Sequence, residues 1–245
     1  MERWKNKLAI VTGASSGIGA AIVLELIKCE MIVVGLARRI DKIEALKAQI
    51  PGLEKNLHAV KCDVTKEEEI LSVFKWIDEQ FRGVHVLINN AGVLGTGLTI
   101  APNNSELIRK TFDTNVMGLL WCTREAVQSM KKYSIDDGHI IHMNSVAGHS
   151  SPVTTGFHVY PATKHAVTVL TETLRRELLE EKSKIKVSSI SPGVVDTEIW
   201  EGIKIPDDTP YLRSIDVANA VLYVLKTPPH VQVHELIIKP VGEIF

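Results

Sequence analysis

Three side chains between positions 145 and 164 are of types that could together handle a proton. Tyr160 and Lys164 are four residues apart, and residues at this spacing are neighbours on one face of a helix. The pattern predicts a helix that begins near Tyr160, with Pro161 in its first turn, where the missing N–H is tolerated. A free tyrosine loses its proton near pH ~10, and an adjacent ammonium favours the phenolate. We therefore predict a Tyr160 pKa low enough for proton transfer near neutral pH.

Ser145 and Asn115 could complete this group. Ser145 follows an apolar run at residues 139–143, and its hydroxyl could donate a hydrogen bond to a substrate oxygen on which charge develops. Asn115 lies inside a helical pattern, although asparagine is an indifferent helix former. It either interrupts the helix and positions a water for proton relay, or it is a partly exposed polar residue.

A glycine-rich turn near the start of the chain predicts a phosphate site. Residues 8–11 form an apolar run, the glycines Gly13, Gly17 and Gly19 follow it, and a helix-favouring segment comes next. The free N–H groups and the positive dipole end of a helix N-terminus favour phosphate. The spacing G-x-x-x-G-x-G differs from the standard dinucleotide pattern. Its position between a strand and a helix favours pyrophosphate binding over a purely structural turn.

The residues after the second apolar run, 31–37, bear on the choice between nicotinamide cofactors. An acidic residue at this position accepts a hydrogen bond from the adenosine ribose 2′-hydroxyl, whereas arginine suits a 2′-phosphate. Here Arg38 and Arg39 follow the run, and no acidic residue precedes Asp41. We predict NADP(H), with Arg38 as the main contact because it comes first. The alternative is that both arginines are solvated residues that open a helix.

Asp63 and Asn90 follow the third and fourth apolar runs, at residues 57–60 and 84–88. Asp63 could accept a hydrogen bond from the adenine edge, and Asn90 could hold backbone near a ribose. Each could equally be a turn residue that bonds local backbone. Lys164 has the further option of holding the nicotinamide ribose hydroxyls.

The apolar runs alternate with helical patterns along the chain, ending with runs at residues 185–190 and 233–238. Continuous apolar runs suit strands that are covered on both faces of a parallel sheet, and the alternation implies right-handed βαβ units. No linker, repeat or low-complexity segment divides the sequence. We predict one α/β domain over residues 1–245, a Rossmann-type doubly wound parallel sheet of about seven strands with helices on both faces. Ligands are expected at the carboxyl ends of the strands.

Composition limits the partners. The chain has 245 residues, 45% of them hydrophobic, and a formal net charge of -1, which gives no support for attraction to nucleic acid or anionic lipid. Three cysteines without a CxxC spacing signal neither a disulfide framework nor a zinc site. No run approaches the roughly 20 apolar residues of a membrane span, and no signal peptide is recognisable. We predict a cytoplasmic protein with small-molecule partners and no membrane span.

The histidines do not predict a metal site. His139 and His142 are three apart in a predicted strand, so they face opposite sides and cannot easily chelate together. His149 and His158 lie between Ser145 and Tyr160, where we expect them to line a pocket.

The substrate end of the site is predicted from apolar residues. Those in the segment 194–212 and in two earlier loops suggest an apolar pocket, although such residues could simply pack on the domain. They are Leu94, Val153, Phe157, Ile199 and Trp200.

With these residues in place, the chain resembles the classical short-chain dehydrogenase/reductase family along essentially its whole length. The motifs in order are TGASSGIG at 12–19, NNAG at 89–92, Asn115, Ser145, YPATK at 160–164 and SPGVVDT at 191–197. The segments MERWKNKLAIVTGASSGIGAA, TREAVQSMK and DDGHIIHMNSVAGH are most similar to the branch that contains insect NADP-dependent farnesol dehydrogenases and the vertebrate 17-beta/3-keto-steroid reductase.

The resemblance implies an NADP(H)-dependent oxidoreductase that interconverts an alcohol and its carbonyl by hydride transfer. It implies that Tyr160 is the acid/base, that Ser145 stabilises the substrate oxygen, that Lys164 lowers the Tyr160 pKa and binds ribose, and that Asn115 anchors a relay water. It also implies a set of cofactor-binding residues in the glycine turn, at the strand ends and in the loop that closes over the nicotinamide. These are Gly13, Ser15, Ser16, Gly17, Ile18, Gly19, Arg38, Arg39, Asp63, Val64, Asn90, Ala91, Gly92, Tyr160, Lys164, Pro192, Gly193, Val195 and Thr197.

Two features depart from the family pattern. Ser145 and Tyr160 are fifteen residues apart, two more than is usual, which lengthens the loop at the pocket edge. Ser16 stands where many NADP-using members carry a basic residue, which leaves the 2′-phosphate chiefly to Arg38 and Arg39.

The expected substrate is a small apolar alcohol or carbonyl compound, such as a farnesol-like terpenoid alcohol or a steroid. A different class of protein, an NADP-binding sensor or scaffold without turnover, would need the glycine turn but not the combination of Ser145, Tyr160 and Lys164. Nucleotide-sugar epimerase or dehydratase chemistry would require a larger C-terminal region. The family further implies a homodimer or homotetramer through the helices at 106–132 and 159–181, with Trp121, Leu170, Leu174 and Leu178 in either the interface or the core.

Overall fold

A computed structural model describes residues 1–150, 156–157, 159–203 and 208–243. Within these residues seven strands form one sheet in the order β3-β2-β1-β4-β5-β6-β7, and every pair is parallel. The strands are β1 (Leu8–Thr12), β2 (Ile32–Ala37), β3 (Leu57–Lys61), β4 (Val86–Asn89), β5 (His139–Met143), β6 (Lys186–Pro192) and β7 (Glu235–Ile238). The predicted doubly wound parallel sheet is confirmed.

Helices connect these strands. They are α1 (Gly17–Lys28), α2 (Ile40–Ala45), α3 (Glu67–Phe81), α4 (Ser105–Phe112), α5 (Gly118–Lys132), α6 (Tyr160–Glu180) and α7 (Ser214–Lys226). A π-helical turn, Asp113–Met117, joins α4 to α5, so the helical pattern predicted over 106–132 is one continuous run with a local widening. Short 3₁₀ turns occupy Glu2–Trp4, Leu46–Gln49, Glu54–Asn56, Val146–Gly148 and Glu198–Trp200. None of the described helices is long and apolar enough to cross a membrane.

Apolar side chains cover both faces of the sheet. On one face Ala9 and Val11 of β1 pack with residues of α1 and α7, and on the other Leu8 and Ile10 pack with residues of α3 and α5. All five residues of β1 are therefore buried, which is why the strand appears as an unbroken apolar run rather than an alternating one.

The order of the strands creates a crevice at their carboxyl ends. β1 pairs with β2 on one side and with β4 on the other, so the connections after β1 and β3 lead in opposite directions across the sheet. Open α/β sheets bind their ligands at such a switch point. The crevice lies where the glycine turn after β1 meets the segment after β4.

Candidate active site

A cavity of about 1500 Å³ runs along the carboxyl ends of strands β1 to β6. Of the residues predicted to bind cofactor or to act in catalysis, all but Gly19 and Asn115 line it. The fold thus brings together residues from both ends of the sequence, from Gly13 to Thr197. Gly19 and Asn115 lie just outside the lining. Gly19 packs against the Gly13 backbone and Asn115 bonds the Val93 backbone, and both Gly13 and Val93 line the cavity.

The glycine turn after β1 has the shape of a phosphate cradle. Gly13 and Gly17 have φ angles of +67° and +54°, a region that glycine adopts without strain. A Cβ on Gly19 would lie 2.3 Å from the Gly13 carbonyl oxygen, so only glycine fits there. No side chain caps the N-terminus of α1, which leaves its first N–H groups free for an anion. These residues fit the pyrophosphate of a dinucleotide.

Asn90 and Thr12 lock this turn to the segment after β4. The Asn90 amide nitrogen Nδ2 donates to the Thr12 and Gly13 carbonyl oxygens at 2.9 and 3.3 Å. The Thr12 hydroxyl accepts from the backbone N–H groups of Asn90 and Ala91 at 3.0 and 2.9 Å. Asn90 therefore holds backbone, as one of the sequence-based interpretations proposed. The sequence analysis missed Thr12, whose position as the last residue of β1 was the available signal.

The two arginines after β2 differ in their surroundings. Arg39 Nη2 donates to the hydroxyls of Ser15 and Ser16 at 3.4 and 3.1 Å. No hydrogen bond or ion pair of Arg38 occurs within the part of the chain that the structure describes, although Arg38 lines the cavity. The geometry therefore does not support Arg38 as the main cation beside the glycine turn. Order along the chain does not determine the direction of a side chain, and Arg39 is the residue that turns toward the serines.

Glu198, which the sequence analysis did not single out, pairs with the same cation. One carboxylate oxygen lies 2.8 Å from Arg39 Nη2, and the other lies 2.7 Å from Lys42 Nζ. Hydrogen bonds from Lys42, Arg39 and Ser16 lower the pKa of Glu198 to about 2. The cations beside the glycine turn thus hold an anion that the chain itself supplies.

Tyr160 and Lys164 lie together at the first turns of α6. The Lys164 ammonium is 5.7 Å from the centre of the Tyr160 ring and donates to the Met143 carbonyl oxygen at 2.9 Å. Burial lowers the pKa of Lys164 to about 8. The i, i+4 spacing places both residues on one face of the helix, as predicted.

The predicted fall in the Tyr160 pKa is wrong for this structure. Burial raises the pKa of Tyr160 to about 12, and a hydrogen bond with Ser145 acts only partly in the opposite direction. Desolvation penalises the phenolate, and the Lys164 ammonium is directed at the Met143 carbonyl rather than at the phenol oxygen. Tyr160 is therefore a protonated phenol over the neutral range.

Ser145 follows β5 and opens the 3₁₀ turn Val146–Gly148. Its hydroxyl oxygen accepts from the Ala147 N–H at 3.1 Å, which fixes the oxygen and leaves the hydroxyl proton to be donated. Ser145 and Tyr160 both line the cavity. Two hydroxyl groups can therefore reach one substrate oxygen.

Asn115 lies in the π-helical turn between α4 and α5 and is only 2% exposed, so of the two interpretations left open by the sequence, that of a partly exposed polar residue is wrong. Its oxygen accepts from the Val93 N–H at 2.9 Å, and its nitrogen donates to the Val93 carbonyl and the Thr163 hydroxyl at 3.0 and 3.1 Å. The side chain thus ties the segment after β4 to α6. π-helical turns often occur at functional sites, and here the π-helical turn directs the Asn115 side chain toward Val93 and Thr163.

Asp63 makes local bonds at the end of β3. Its oxygen Oδ1 accepts from the Thr65 N–H and hydroxyl at 3.0 and 2.8 Å, which is the turn role that the sequence left open. Asp63 also lines the cavity, so the same side chain borders the place where an adenine is expected.

One end of the cavity is apolar. Leu94, Phe157, Ile199 and Trp200 all line it, and the rings of Phe157 and Trp200 meet edge to face with centres 6.3 Å apart. Val153, the other residue predicted here, lies outside the described residues. The Tyr160 N–H donates to the Phe157 carbonyl oxygen at 3.1 Å, so the apolar end adjoins Tyr160.

Three of the histidines singled out in the sequence form hydrogen bonds with hydroxyl groups. His139 Nε2 lies 2.9 Å from Ser188 Oγ, and His142 Nδ1 lies 2.9 Å from Thr171 Oγ1. His149 does not line the cavity as predicted, because its Nε2 bonds Ser191 Oγ at 2.9 Å; His158 lies outside the described residues. Across residues 1–150, 156–157, 159–203 and 208–243, no three His, Cys, Asp or Glu side chains are grouped as a metal ion would require.

Glu243, near the end of the chain, also contacts the site and was missed by the sequence analysis. Its carboxylate accepts from the Val194 N–H at 2.9 Å and packs so closely that a Cβ on Gly193 would lie 1.9 Å from its oxygen Oε2. The C-terminal segment thereby holds the turn after β6, which is the segment expected beside the nicotinamide.

Comparison with known proteins agrees with this geometry. Residues 7–207 match the family model for short chain dehydrogenase. The farnesol dehydrogenase of Aedes aegypti is 57% identical, with both chains fully covered. The dehydrogenase/reductase SDR family member 11 of Mus musculus is 45% identical, with 100% of this chain and 98% of the relative covered.

Solved structures show the same fold. A closed form of serine dehydrogenase complexed with NADP+ superposes with a TM-score of 0.85 at 27% identity, covering 97% of this chain and 96% of the other. An alcohol dehydrogenase from the archaeon Thermococcus sibiricus, complexed with 5-hydroxy-NADP, has a TM-score of 0.85 at 26% identity and covers 97% of each chain. Because the family model matches most of the length of this chain and a relative matches it from end to end, the chain belongs to the short-chain dehydrogenase family.

Proposed function

We propose that this protein is an NADP(H)-dependent oxidoreductase that interconverts an alcohol and its carbonyl, with Tyr160 as the acid/base. The observation that carries the proposal is the convergence of Ser145, Tyr160 and Lys164 on a cavity whose other end is the glycine turn. A protein that only binds the nucleotide would have no use for this arrangement, and no observation favours that alternative.

The cofactor half of the cavity offers a donor for each charged part of NADP(H). The N–H groups at the start of α1 suit the pyrophosphate, and Arg39 with Ser16 suits a 2′-phosphate. The segment from Pro192 to Thr197 borders the place for the nicotinamide, and Lys164 lies where it can bind ribose hydroxyls. When bound, NADP⁺ accepts a hydride and NADPH donates one.

The chain's own residues manage the proton. In the oxidation direction the alcohol carbon loses its hydride, and the hydroxyl proton passes to the phenolate form of Tyr160. In the reduction direction the Tyr160 phenol donates its proton to the oxygen on which negative charge develops. Ser145 donates a hydrogen bond to that oxygen. We retain the prediction that Asn115 anchors a relay water; because both N–H groups of its side-chain amide are already bonded to Val93 and Thr163, we propose that it does so through its backbone.

The test of this mechanism is Tyr160→Phe. Removal of the phenol hydroxyl should lower turnover by about 10²- to 10⁴-fold, the usual contribution of acid–base catalysis. NADPH affinity, measured by fluorescence titration, should change little. Tyr223→Phe is a matched control, because Tyr223 is 59% exposed on α7 and does not line the cavity. Near wild-type turnover in the Y160F enzyme would remove Tyr160 from the proposed role.

The pH dependence should differ between the two directions. Because burial raises the pKa of Tyr160 to about 12, the phenol needed for reduction is present throughout the neutral range, whereas the phenolate needed for oxidation is scarce and increases about tenfold per pH unit. Alcohol oxidation should therefore accelerate from pH 6 to 9 under saturating conditions, while carbonyl reduction should not. An oxidation rate that is flat over this range would contradict the assignment.

The substrate that we propose is an apolar alcohol or carbonyl compound, such as a terpenoid alcohol or a steroid. Support comes from the apolar end of the cavity formed by Leu94, Phe157, Ile199 and Trp200 and from the relative named farnesol dehydrogenase. A panel of farnesol, retinol, steroid alcohols and short polar alcohols, assayed in both directions with NADP(H), tests the proposal. Higher kcat/KM for short polar alcohols would exclude it.

We also propose a homodimer or homotetramer in which α5 and α6 join the subunits. Leu178 is buried in the core and cannot supply the contact, and Leu174 and Trp121 pack partly against the same core. Val169 and Leu179 on α6 are 65% and 74% exposed and are better candidates. Light scattering during size-exclusion chromatography should give the mass of two or four chains; a single-chain mass would contradict the proposal. A cytoplasmic location stays a prediction.

A further inference from the structure

The cations beside the glycine turn are already engaged by a carboxylate from a distant part of the chain. Glu198 lies 2.8 Å from Arg39 and 2.7 Å from Lys42 through its two different oxygens. Arg39 and Glu198 are 159 positions apart in the sequence, and both line the cavity. The side chains of all three are between 42% and 48% exposed, and a ligand can therefore reach them.

A carboxylate and a phosphate are recognised by the same donors. Both accept charge-assisted hydrogen bonds from arginine and lysine. The Ser16 hydroxyl accepts from the Arg39 guanidinium at 3.1 Å, so it lies beside the same cation. Glu198 thus occupies the two cations, Arg39 and Lys42, that a 2′-phosphate would require.

The segment that carries Glu198 also forms part of the substrate end. Glu198 is the first residue of the 3₁₀ turn Glu198–Trp200. Trp200 packs edge to face against Phe157, and its indole N–H donates to the Val195 carbonyl oxygen at 2.9 Å. A change in the position of Glu198 is therefore transmitted within two residues to the apolar end of the cavity.

We propose that Glu198 is an internal competitor for the 2′-phosphate of the cofactor. A phosphate that binds Arg39 and Lys42 displaces the carboxylate and so releases the Glu198–Trp200 turn, whereas a nucleotide without that phosphate leaves Glu198 in place. Glu198 is in this way a determinant of cofactor specificity. Its displacement by the 2′-phosphate also changes the turn that borders the substrate end of the cavity. The inference rests on the proposed use of NADP(H).

Neutralising the carboxylate should tighten binding only for ligands that carry the phosphate. Each exposed ion pair contributes modestly, so Glu198→Gln should bind adenosine 2′,5′-bisphosphate about three- to tenfold more tightly than the wild-type protein. Its affinity for adenosine 5′-monophosphate, which lacks only the 2′-phosphate, should be unchanged. Glu198→Ala should show the same direction without leaving an amide to bond Arg39.

The experiment is calorimetric titration of the full chain with these two nucleotides. Glu201→Gln is the matched control, because Glu201 is exposed in the same segment and forms no ion pair among the residues described. Tryptophan fluorescence supplies a second readout: the bisphosphate should alter the Trp200 signal in the wild-type protein and the monophosphate should not. Trp200→Phe identifies the part of the signal that belongs to this residue.

Three results would overturn the proposal. If E198Q binds the bisphosphate with unchanged or weaker affinity, the carboxylate does not compete. If E201Q tightens binding as much as E198Q does, the effect is one of general charge. If the wild-type protein binds both nucleotides equally, its proposed preference for NADP(H) fails as well. This third outcome is how failure of the cofactor assignment is distinguished from failure of the competition alone. Tightening confined to the Glu198 variants, with a phosphate-dependent Trp200 signal, supports it.

Discussion

At the scale of single residues, the cation group beside the glycine turn shows how neighbours of equal charge take different roles. Arg39 bonds Ser15, Ser16 and Glu198, whereas Arg38 lines the same cavity without a described hydrogen bond. Arginine's planar fork of donors recognises phosphate only where its direction suits the ligand. The side chain that is already directed at the hydroxyls is the better placed of the two.

Arg39→Ala should therefore impair NADP(H) binding more than Arg38→Ala. A charge-assisted hydrogen bond typically contributes about 1.5–3 kcal/mol, so we expect NADPH affinity to fall about tenfold or more in R39A and much less in R38A. NADH affinity should stay nearly constant in both. Fluorescence titration with the two reduced cofactors measures this. A larger loss in R38A would restore the role that the sequence alone assigned to Arg38.

At the scale of elements, the site is held by contacts between segments that lie far apart in the sequence. The π-helical turn Asp113–Met117 brings the Asn115 amide to the backbone of Val93 and to Thr163 of α6. Glu243, after β7, accepts from the Val194 N–H in the turn after β6. These contacts fix two loops that line the cavity, the segment after β4 and the turn after β6.

Glu243→Ala should loosen the turn after β6. The Val194 N–H would lose its acceptor, and a buried unsatisfied group costs about 1–3 kcal/mol. We expect a lower free energy of unfolding in urea and a higher KM for NADPH, with a smaller change in kcat.

Glu243→Gln separates the negative charge of the side chain from its hydrogen bond with the Val194 N–H. Its amide oxygen can still accept from Val194, so E243Q should keep most of the stability and most of the cofactor affinity. If E243A matches the wild-type protein in both measurements, the C-terminal segment does not position this turn. If E243Q is as impaired as E243A, the negative charge rather than the hydrogen bond is what matters.

At the scale of the whole molecule, the sheet buries histidines that other proteins usually keep at the surface. His139 and His142 are 0% and 1% exposed within β5. Burial lowers the pKa of each to about 3. Both rings are neutral hydrogen-bonding members of the core, bonded to the hydroxyls of Ser188 and Thr171.

Acid should therefore destabilise the fold well above the range in which carboxylates titrate. Below pH ~6.5 the unfolded chain binds protons that the native histidines cannot, so the free energy of unfolding falls as pH falls. From pH 7 to 5 each of the two histidines should contribute a loss of about 2 kcal/mol. Urea unfolding at the two pH values measures this loss together with that of His85 and His58, whose pKa values burial also lowers.

A single substitution tests the origin of this slope. His142→Gln should remove about half of the pH dependence contributed by the pair, whatever its effect on stability at pH 7. His165→Gln is the control, because His165 is exposed on α6. Equal slopes in the H142Q and wild-type proteins would show that the buried histidine is not the titrating group.

The sequence by itself determined the fold class and predicted many of the residues that line the cavity. Unbroken apolar runs marked the buried strands, and the predicted β5 at His139–Met143 agrees with the structure at both ends. The TGASSGIG turn, the Tyr160–Lys164 spacing and Ser145 were visible because each depends on local geometry: a positive φ, one turn of helix, or the end of a strand. Such features need only a few consecutive residues.

Only the tertiary structure decided which charges meet and which groups lose water. Glu198 reaches Arg39 across 159 positions, and Glu243 reaches Val194 from the end of the chain; no spacing in the sequence contains either contact. The pKa of Tyr160 was likewise decided by the tertiary structure. Burial raises it, although the nearby Lys164 ammonium led us to predict a fall. Desolvation and long-range pairing depend on everything packed around a group, and this is defined only once the chain has folded.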